Sequence, residues 1–238
     1  MSAPLLELRG LGAGYGALQV VWDVDLQVFP GEWLALVGAS GAGKTTLVRA
    51  VAGLNPPLSG SVRFDGMEIS RLAVHQRVRQ GLAMAPEGRR LFTGMTVREN
   101  LMLGGFAEAN AAELAGRIDD IYQLFPILAS RRNQTAATMS GGEQQMCAIG
   151  RALMLKPKLL IIDELSLGLA PSIVDKILDA LVVIRGRGTA LFIIDQDVSI
   201  SLGQADRAYV MRSGRIVMHG AADRVLRDPA LRREYIGI

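Results

Sequence analysis

Four short apolar runs, Ala35-Leu36-Val37, Leu82-Ala83-Met84, Leu159-Leu160-Ile161-Ile162 and Leu191-Phe192-Ile193-Ile194, carry little alternation between apolar and polar positions. A strand covered on one face alternates with period two, so these runs predict strands covered on both faces, as in a buried parallel sheet. Between them the apolar spacing becomes helical: Lys44 to Leu54, Ile173 to Ile184 with apolar residues at 173, 174, 177, 178, 181 and 184, and Val198 to Ala205. The alternation of strand and helix reads as α/β. Two stretches depart from it. Val24, Leu26 and Val28 alternate with Asp25, Gln27 and Phe29, and Ser61–Phe64 leads through Asp65-Gly66 into Met67–Ile69, which predicts antiparallel hairpin strands. From about Thr96 to Leu155 the periodicity is helical throughout, so a helical insertion interrupts the sheet.

Composition narrows the class. A chain of 238 residues, half of them hydrophobic, suits one compound domain. The single cysteine, Cys147, lies in an apolar helical pattern and reads as a buried core thiol, which suits a reducing compartment. The start, MSAPLLELRG, has neither a basic n-region nor a long apolar h-region, and no apolar run approaches the length of a bilayer span. We therefore expect a chain that is neither exported nor membrane-spanning by itself. The net charge of +3 comes from 26 basic and 23 acidic residues, largely interspersed, so nucleic acid is not an expected partner. A mean hydropathy of +0.26 suits either a large core or a subunit with an apolar contact surface.

The candidate chemistry begins at Gly38-Ala39-Ser40-Gly41-Ala42-Gly43-Lys44-Thr45, which fits G-x-x-x-x-G-K-[ST] directly after an apolar strand and directly before a helix. Such a loop cradles phosphates: Gly38, Ser40, Gly41 and Gly43 let backbone N–H groups point inward, and Lys44 supplies positive charge to the β and γ phosphates. The Thr45 hydroxyl, with Thr46 beside it, can ligate Mg²⁺. Leu159–Ile162 then runs into Asp163-Glu164, a buried strand ending in two carboxylates that would face the same crevice. Asp163 is placed to hold the metal through water, and Glu164 to orient or deprotonate an attacking water. Nucleoside triphosphate hydrolysis is the reaction these parts can perform.

A further stretch, Met139-Ser140-Gly141-Gly142-Glu143, starts a helical run with two adjacent glycines. Two readings stand side by side: an ordinary cap with Ser140 as N-cap, or exposed helix N–H groups that attract an anion. Followed by Arg151-Ala152-Leu153 and the Asp163-Glu164 strand, this segment resembles the signature sequence of ATP-binding cassette (ABC) ATPases.

The resemblance covers essentially the whole chain. It implies a P-loop NTPase with a RecA-like parallel sheet core, an N-terminal antiparallel β subdomain and a helical subdomain insertion. Residues 1–88 and 156–238 would form the nucleotide-binding core, and 89–155 the helical part. Tyr15 stands where the family stacks an aromatic on adenine, Gly38–Thr46 is the Walker A loop, Leu159–Glu164 is Walker B, and Ser166–Ala170 lies at the D-loop. The resemblance also implies a head-to-tail pair, in which Ser140, Gly141, Gly142 and Glu143 serve the ATP of a second cassette. Pro86-Glu87-Gly88-Arg89, Thr96-Val97-Arg98-Glu99-Asn100-Leu101 and Asp206–Val210 narrow it to the ATPase subunits of bacterial branched-chain amino acid importers, with importers of urea or short amides as the alternative. The implied partners are a second ATPase subunit, two membrane-spanning permease subunits and, indirectly, a periplasmic binding protein. The implied location is peripheral, at the cytoplasmic face of the bacterial inner membrane.

Several positions depart from the general ABC pattern. Glu87 replaces the Q-loop glutamine and adds negative charge near the metal; Glu143 replaces the last glutamine of the signature; Leu165 replaces a proline. Gln196, between Asp195 and Asp197, replaces the switch histidine, and an amide cannot carry a proton. That substitution is the motive for expecting a non-identical partner cassette. His75 and His219 are expected at the surface. The rival readings are a soluble ABC ATPase for DNA repair or translation, which usually carries a second cassette or a long coiled coil, and a kinase or GTPase, although no N-K-x-D guanine motif is present. Residues 88–101, with Leu91, Phe92 and Met95 as apolar anchors, are expected to dock the membrane subunits; the alternative is that these three pack inside the helical part.

Overall fold

The structure, a computed structural model, describes residues 3–106, 108 and 110–231. In chain order it runs β1 (Leu6–Tyr15), β2 (Leu18–Val28), β3 (Trp33–Val37), α1 (Lys44–Ala52), β4 (Ser59–Phe64), β5 (Met67–Glu68), α2 (Val74–Arg79) and β6 (Leu82–Ala85). The helical stretch follows as α3 (Val97–Gly104), α4 (Ala111–Leu124), α5 (Pro126–Ser130), a 3₁₀ turn at Ala136–Thr138 and α6 (Gly141–Leu153). Then come β7 (Leu159–Asp163), α7 (Pro171–Gly186), β8 (Ala190–Asp195), α8 (Val198–Leu202), β9 (Arg207–Arg212), β10 (Arg215–Ala221), α9 (Ala222–Arg227) and α10 (Pro229–Leu231).

Two sheets form. One is antiparallel, in the order β2-β1-β4-β5; the other is β10-β9-β3-β8-β7-β6, parallel except for the β10–β9 edge pair. The parallel strands show why their sequences do not alternate. Leu159, Ile161, Phe192 and Ile194 point into a core shared with β1, β2, β4 and α1, while Leu160, Ile162, Leu191 and Ile193 point into a second core with α3, α6 and α7. Period two is present, but both faces are apolar. The second core continues without a break from β7 and β8 through Met146, Cys147 and Ile149 of α6 to Val97 and Leu101 of α3. The helical insertion is thus anchored on the sheet.

Helix ends differ from the periodicity where a backbone stop intervenes. Apolar spacing carries the first helix to Leu54, but α1 ends at Ala52 because Gly53 turns left-handed with φ 81° and donates its N–H to the Ala50 and Arg49 carbonyls. The last turn of α1 has a second closure that the sequence hides. Arg77 of α2 is 1 % exposed, and its guanidinium donates to the carbonyls of Ala50 (2.8 Å), Val51 (2.7 Å), Leu72 (3.0 Å) and Ser70 (2.8 Å). It ties α1 to the hairpin side of the antiparallel sheet. Arg77→Ala should cost on the order of 3 kcal/mol in thermal or urea unfolding, because it strands buried carbonyls. Arg79→Ala, at an exposed neighbour, should change stability by less than about 0.5 kcal/mol.

Candidate functional site

In the parallel sheet Val37 lies opposite Asp195, and Asp163 opposite Ile194, so β3, β7 and β8 end at the same level. The loops that leave them meet there. Ser40–Thr46, Tyr15, Glu87, Glu164 and Gln196 line one cavity of about 280 Å³. This gathers almost every residue expected to handle the nucleotide on this chain.

Lys44, at the first position of α1, is 4 % exposed. Its ammonium donates to the carbonyls of Gly38 (2.7 Å) and Ala39 (3.2 Å), which curl the loop around it, and lies 3.6 Å from Glu164. The helix start leaves the first N–H groups of α1 without intrahelical partners, so loop and helix present donors and positive charge to the cavity. Thr45 donates to Asp163 at 3.3 Å. Thr46 Oγ1 and the Tyr15 hydroxyl lie 3.4 Å apart, and the Tyr15 ring, half exposed, sits beneath the Arg49 guanidinium at 6.0 Å.

The two carboxylates carry the electrostatic cost of the site. Asp163 is 1 % exposed and its second oxygen, Oδ2, has no hydrogen-bond partner. Burial pushes its carboxyl from 3.8 up to about 6; the Thr45 hydrogen bond and Lys44 pull it back, while Glu164 and Glu87 add to the rise. Glu164 is also shifted up, first by burial, with the Gln196 hydrogen bond and Lys44 opposing and Asp195 and Glu87 assisting. Its Oε1 accepts from Gln196 Nε2 at 3.2 Å, and its Oε2 is buried without a partner. Glu164 adopts φ +58°, a left-handed conformation costing about 1–3 kcal/mol for a non-glycine residue. Gln196, at the switch position, here holds the glutamate.

The donor set passes a simple test for a hard cation. Thr45 Oγ1, the unpartnered Asp163 oxygen and the Glu87 carboxylate at the cavity are all oxygen ligands. No cluster of three His, Cys, Asp or Glu side chains suited to a metal occurs among the described residues. A cation held by so few protein oxygens would be completed by phosphates and water.

The signature residues are not brought to this cavity. Ser140 caps α6, accepting from Glu143 N–H at 3.3 Å, while the Glu143 carboxylate accepts from Ser140 N–H at 2.8 Å and lies 3.7 Å from Arg131. The capping reading therefore holds in this chain, with Glu143 closing the box. A side chain on Gly142 would run into Ile173 of α7, and one on Gly141 would lie 3.0 Å from the Arg89 guanidinium. Arg89 thus reaches α6 from the loop that carries Glu87, a link that sequence spacing gave no sign of.

The remaining expectations fall as follows. His75 and His219 are exposed, His219 stacking on Tyr209 at 5.2 Å. Cys147 is buried, and burial pushes its thiol up to about 12. Leu165 is buried in the second core. Of the three proposed anchors Leu91 packs against that core, Met95 is partly buried, and Phe92 is 54 % exposed beneath Arg151. Met102, Leu103 and Phe106, beyond residue 101, are exposed as well. No helix among the described residues is long and apolar enough to cross a membrane.

The sequence profile described as ABC transporter matches residues 21–166. The chain is 46 % identical over 233 residues to the high-affinity branched-chain amino acid transport ATP-binding protein BraG of Pseudomonas aeruginosa, covering 98 % of this chain and 100 % of that protein. It is 34 % identical to the probable branched-chain amino acid transport ATP-binding protein LivF of Archaeoglobus fulgidus, covering 98 % and 99 %. A solved structure of MJ1267, an ATP-binding cassette of an ABC transporter, superposes with a TM-score of 0.89 at 26 % identity, covering 99 % of this chain and 100 % of that one.

The raised Asp163 value has a measurable consequence. Because the folded value lies above the unfolded one, the buried carboxylate opposes folding once ionised, so this cost grows as pH rises from about 4 to about 6 and is fully present above that. Asp163→Asn should therefore make the nucleotide-free protein more stable at pH 8, by on the order of 2 kcal/mol or a few degrees in Tm, while abolishing ATP hydrolysis. The stability gap should close as pH falls through 6 toward 4. A variant no more stable than wild type at pH 8 would show that this charge carries no penalty.

Proposed function

Since the chain belongs to the ABC transporter family and is an ATP-hydrolysing cassette, we propose that it is the energy-coupling subunit of a bacterial importer of branched-chain amino acids. The observation that carries this reading is the division of its parts. One cavity holds the phosphate loop, Glu164 and Gln196, while the Ser140–Glu143 helix start lies outside it. A chain built this way needs a second cassette to complete each site. The similarity to BraG and LivF supports the substrate class.

In this reading Tyr15 stacks on adenine, and Gly38, Ser40, Gly41, Gly43, Lys44 and Thr46 hold the phosphates. Thr45, Asp163 and Glu87 hold Mg²⁺, which when bound neutralises phosphate charge. Glu164 takes the proton of the attacking water at its unpartnered Oε2, and Gln196 fixes the other oxygen. Lys44 moves from the Gly38 and Ala39 carbonyls and Glu164 toward the phosphates. Residues 88–101 and the exposed apolar positions after them dock the permease subunits at the cytoplasmic face of the inner membrane, and a periplasmic binding protein delivers the substrate to the permeases from the opposite face. An amide at position 196 in both sites of a homodimer would leave neither with a protonatable switch, which favours a non-identical partner cassette.

Assembly with candidate partner subunits provides the test. The isolated chain should hydrolyse ATP slowly, and the full assembly faster. Gly141→Trp should lower hydrolysis at the partner's site at least about tenfold while leaving ATP binding at the Lys44 loop within about twofold. A homodimer that equals the intact transporter in turnover per site removes the case for a heteromeric pair.

A further inference from the structure

Asp195, the last residue of β8, is 1 % exposed, and no ion pair to it is seen among the described residues. Hydrogen-bond donors alone satisfy its carboxylate. Oδ1 accepts from Gln196 N–H at 2.7 Å and Asp197 N–H at 3.2 Å, both in its own turn. The other contacts cross to the loop after β7: Ser166 N–H donates to Oδ2 at 2.9 Å and Ser166 Oγ to Oδ1 at 3.0 Å. Between that loop and β7 stands Glu164, whose own N–H donates to the Ile194 carbonyl at 2.9 Å.

These contacts surround the reacting carboxylate. Glu164 holds φ +58°, which its backbone would leave if unsupported, and it is pinned to β8 directly through Ile194 and two residues later through Ser166. Gln196, the donor to Glu164, is pinned through its backbone N–H by the same carboxylate. Asp195 therefore grips both sides of the Gln196–Glu164 hydrogen bond, the donor by its main chain and the acceptor through Ser166. A buried carboxylate with multiple donors and no cation is costly to place, and a neutral acceptor could not take all four bonds.

We infer that Asp195 is a positioning residue for hydrolysis, holding the Glu164–Gln196 pair in its cavity-facing geometry without touching the nucleotide. The inference rests on the reading of Glu164 as the group that activates water. Asp195→Asn keeps the shape but turns an NH₂ group toward either the Ser166 N–H or the three donors at Oδ1. In the full chain assembled with its partners, kcat should fall at least about tenfold while KM and ATP affinity change less than about twofold. Ser166→Ala removes only the hydroxyl arm and should lower kcat about threefold, Ser166→Thr should restore most of that loss, and Ser166→Ala should have no further effect in the Asp195→Asn background.

A wild-type kcat for Asp195→Asn overturns the inference, as does a fall in kcat matched by ATP affinity and by the folded fraction. If Asp195→Asn does not fold, the Ser166 series decides: a Ser166→Ala kcat equal to wild type overturns it. Glu164→Gln measured in parallel separates the two claims. Wild-type hydrolysis by that variant overturns the reading of Glu164 itself, whereas an inactive Glu164→Gln beside a fully active Asp195→Asn overturns only the role of Asp195.

Discussion

The molecule depends on the register of three parallel strands. With Val37 opposite Asp195 and Asp163 opposite Ile194, β3, β8 and β7 release their chains at one edge and one level. A slip of one residue would turn every side chain on a strand to the opposite face. Because both faces of these strands are apolar, burial alone would tolerate such a slip. What breaks the tie is the polar residue that ends each run. Asp163 and Asp195 find donors only at the strand ends, Thr45 for the first and Ser166 with Gln196 for the second. The chemistry of the site thus helps set the register that builds it.

The same edge concentrates unfavourable terms. Two buried carboxylates keep an unpartnered oxygen each, both are shifted toward the protonated form, and Glu164 adds backbone strain. Lys44 offsets some of this, yet its ammonium is shared with two loop carbonyls. A site in this state gains more than ordinary contact energy when phosphates and a cation arrive, because binding also satisfies groups left wanting by folding. Stability lost in the nucleotide-free chain is held in reserve for the bound one.

How much of this was legible depended on whether a signal is local. The runs at β3, β6, β7 and β8 were, since a buried parallel strand needs consecutive apolar residues, and Gly38–Thr46 was, since its loop is one contiguous segment. β1 was not. Its ladder with β2 shifts register after Leu8, Leu11 and Ala13, and glycines at 10, 12 and 14 blur any period. β10 passes unnoticed because its exposed positions, Arg215, Val217 and His219, do not separate cleanly into polar and apolar. Arg77 reads as one more surface base among arginines, and only the fold brings it under the end of α1. The tie between Ser166 and Asp195 spans 29 positions, so Asp195 looked like a mere neighbour of the substituted switch residue.

Glutamine at 196 changes what the site can respond to. An imidazole there could gain a proton and offer Glu164 a charge, whereas an amide offers a fixed dipole in every state. Compensation for the two carboxylates is left to Lys44 and to what enters the cavity. In the proposed function Lys44 turns toward the phosphates, and Glu164 would then lose its nearest cation and keep only the Gln196 hydrogen bond. A less compensated carboxylate binds a proton more readily. On that reading the departure of Lys44 would raise the basicity of Glu164 at the step when water must be activated, and the amide, by staying neutral, would not blunt that change.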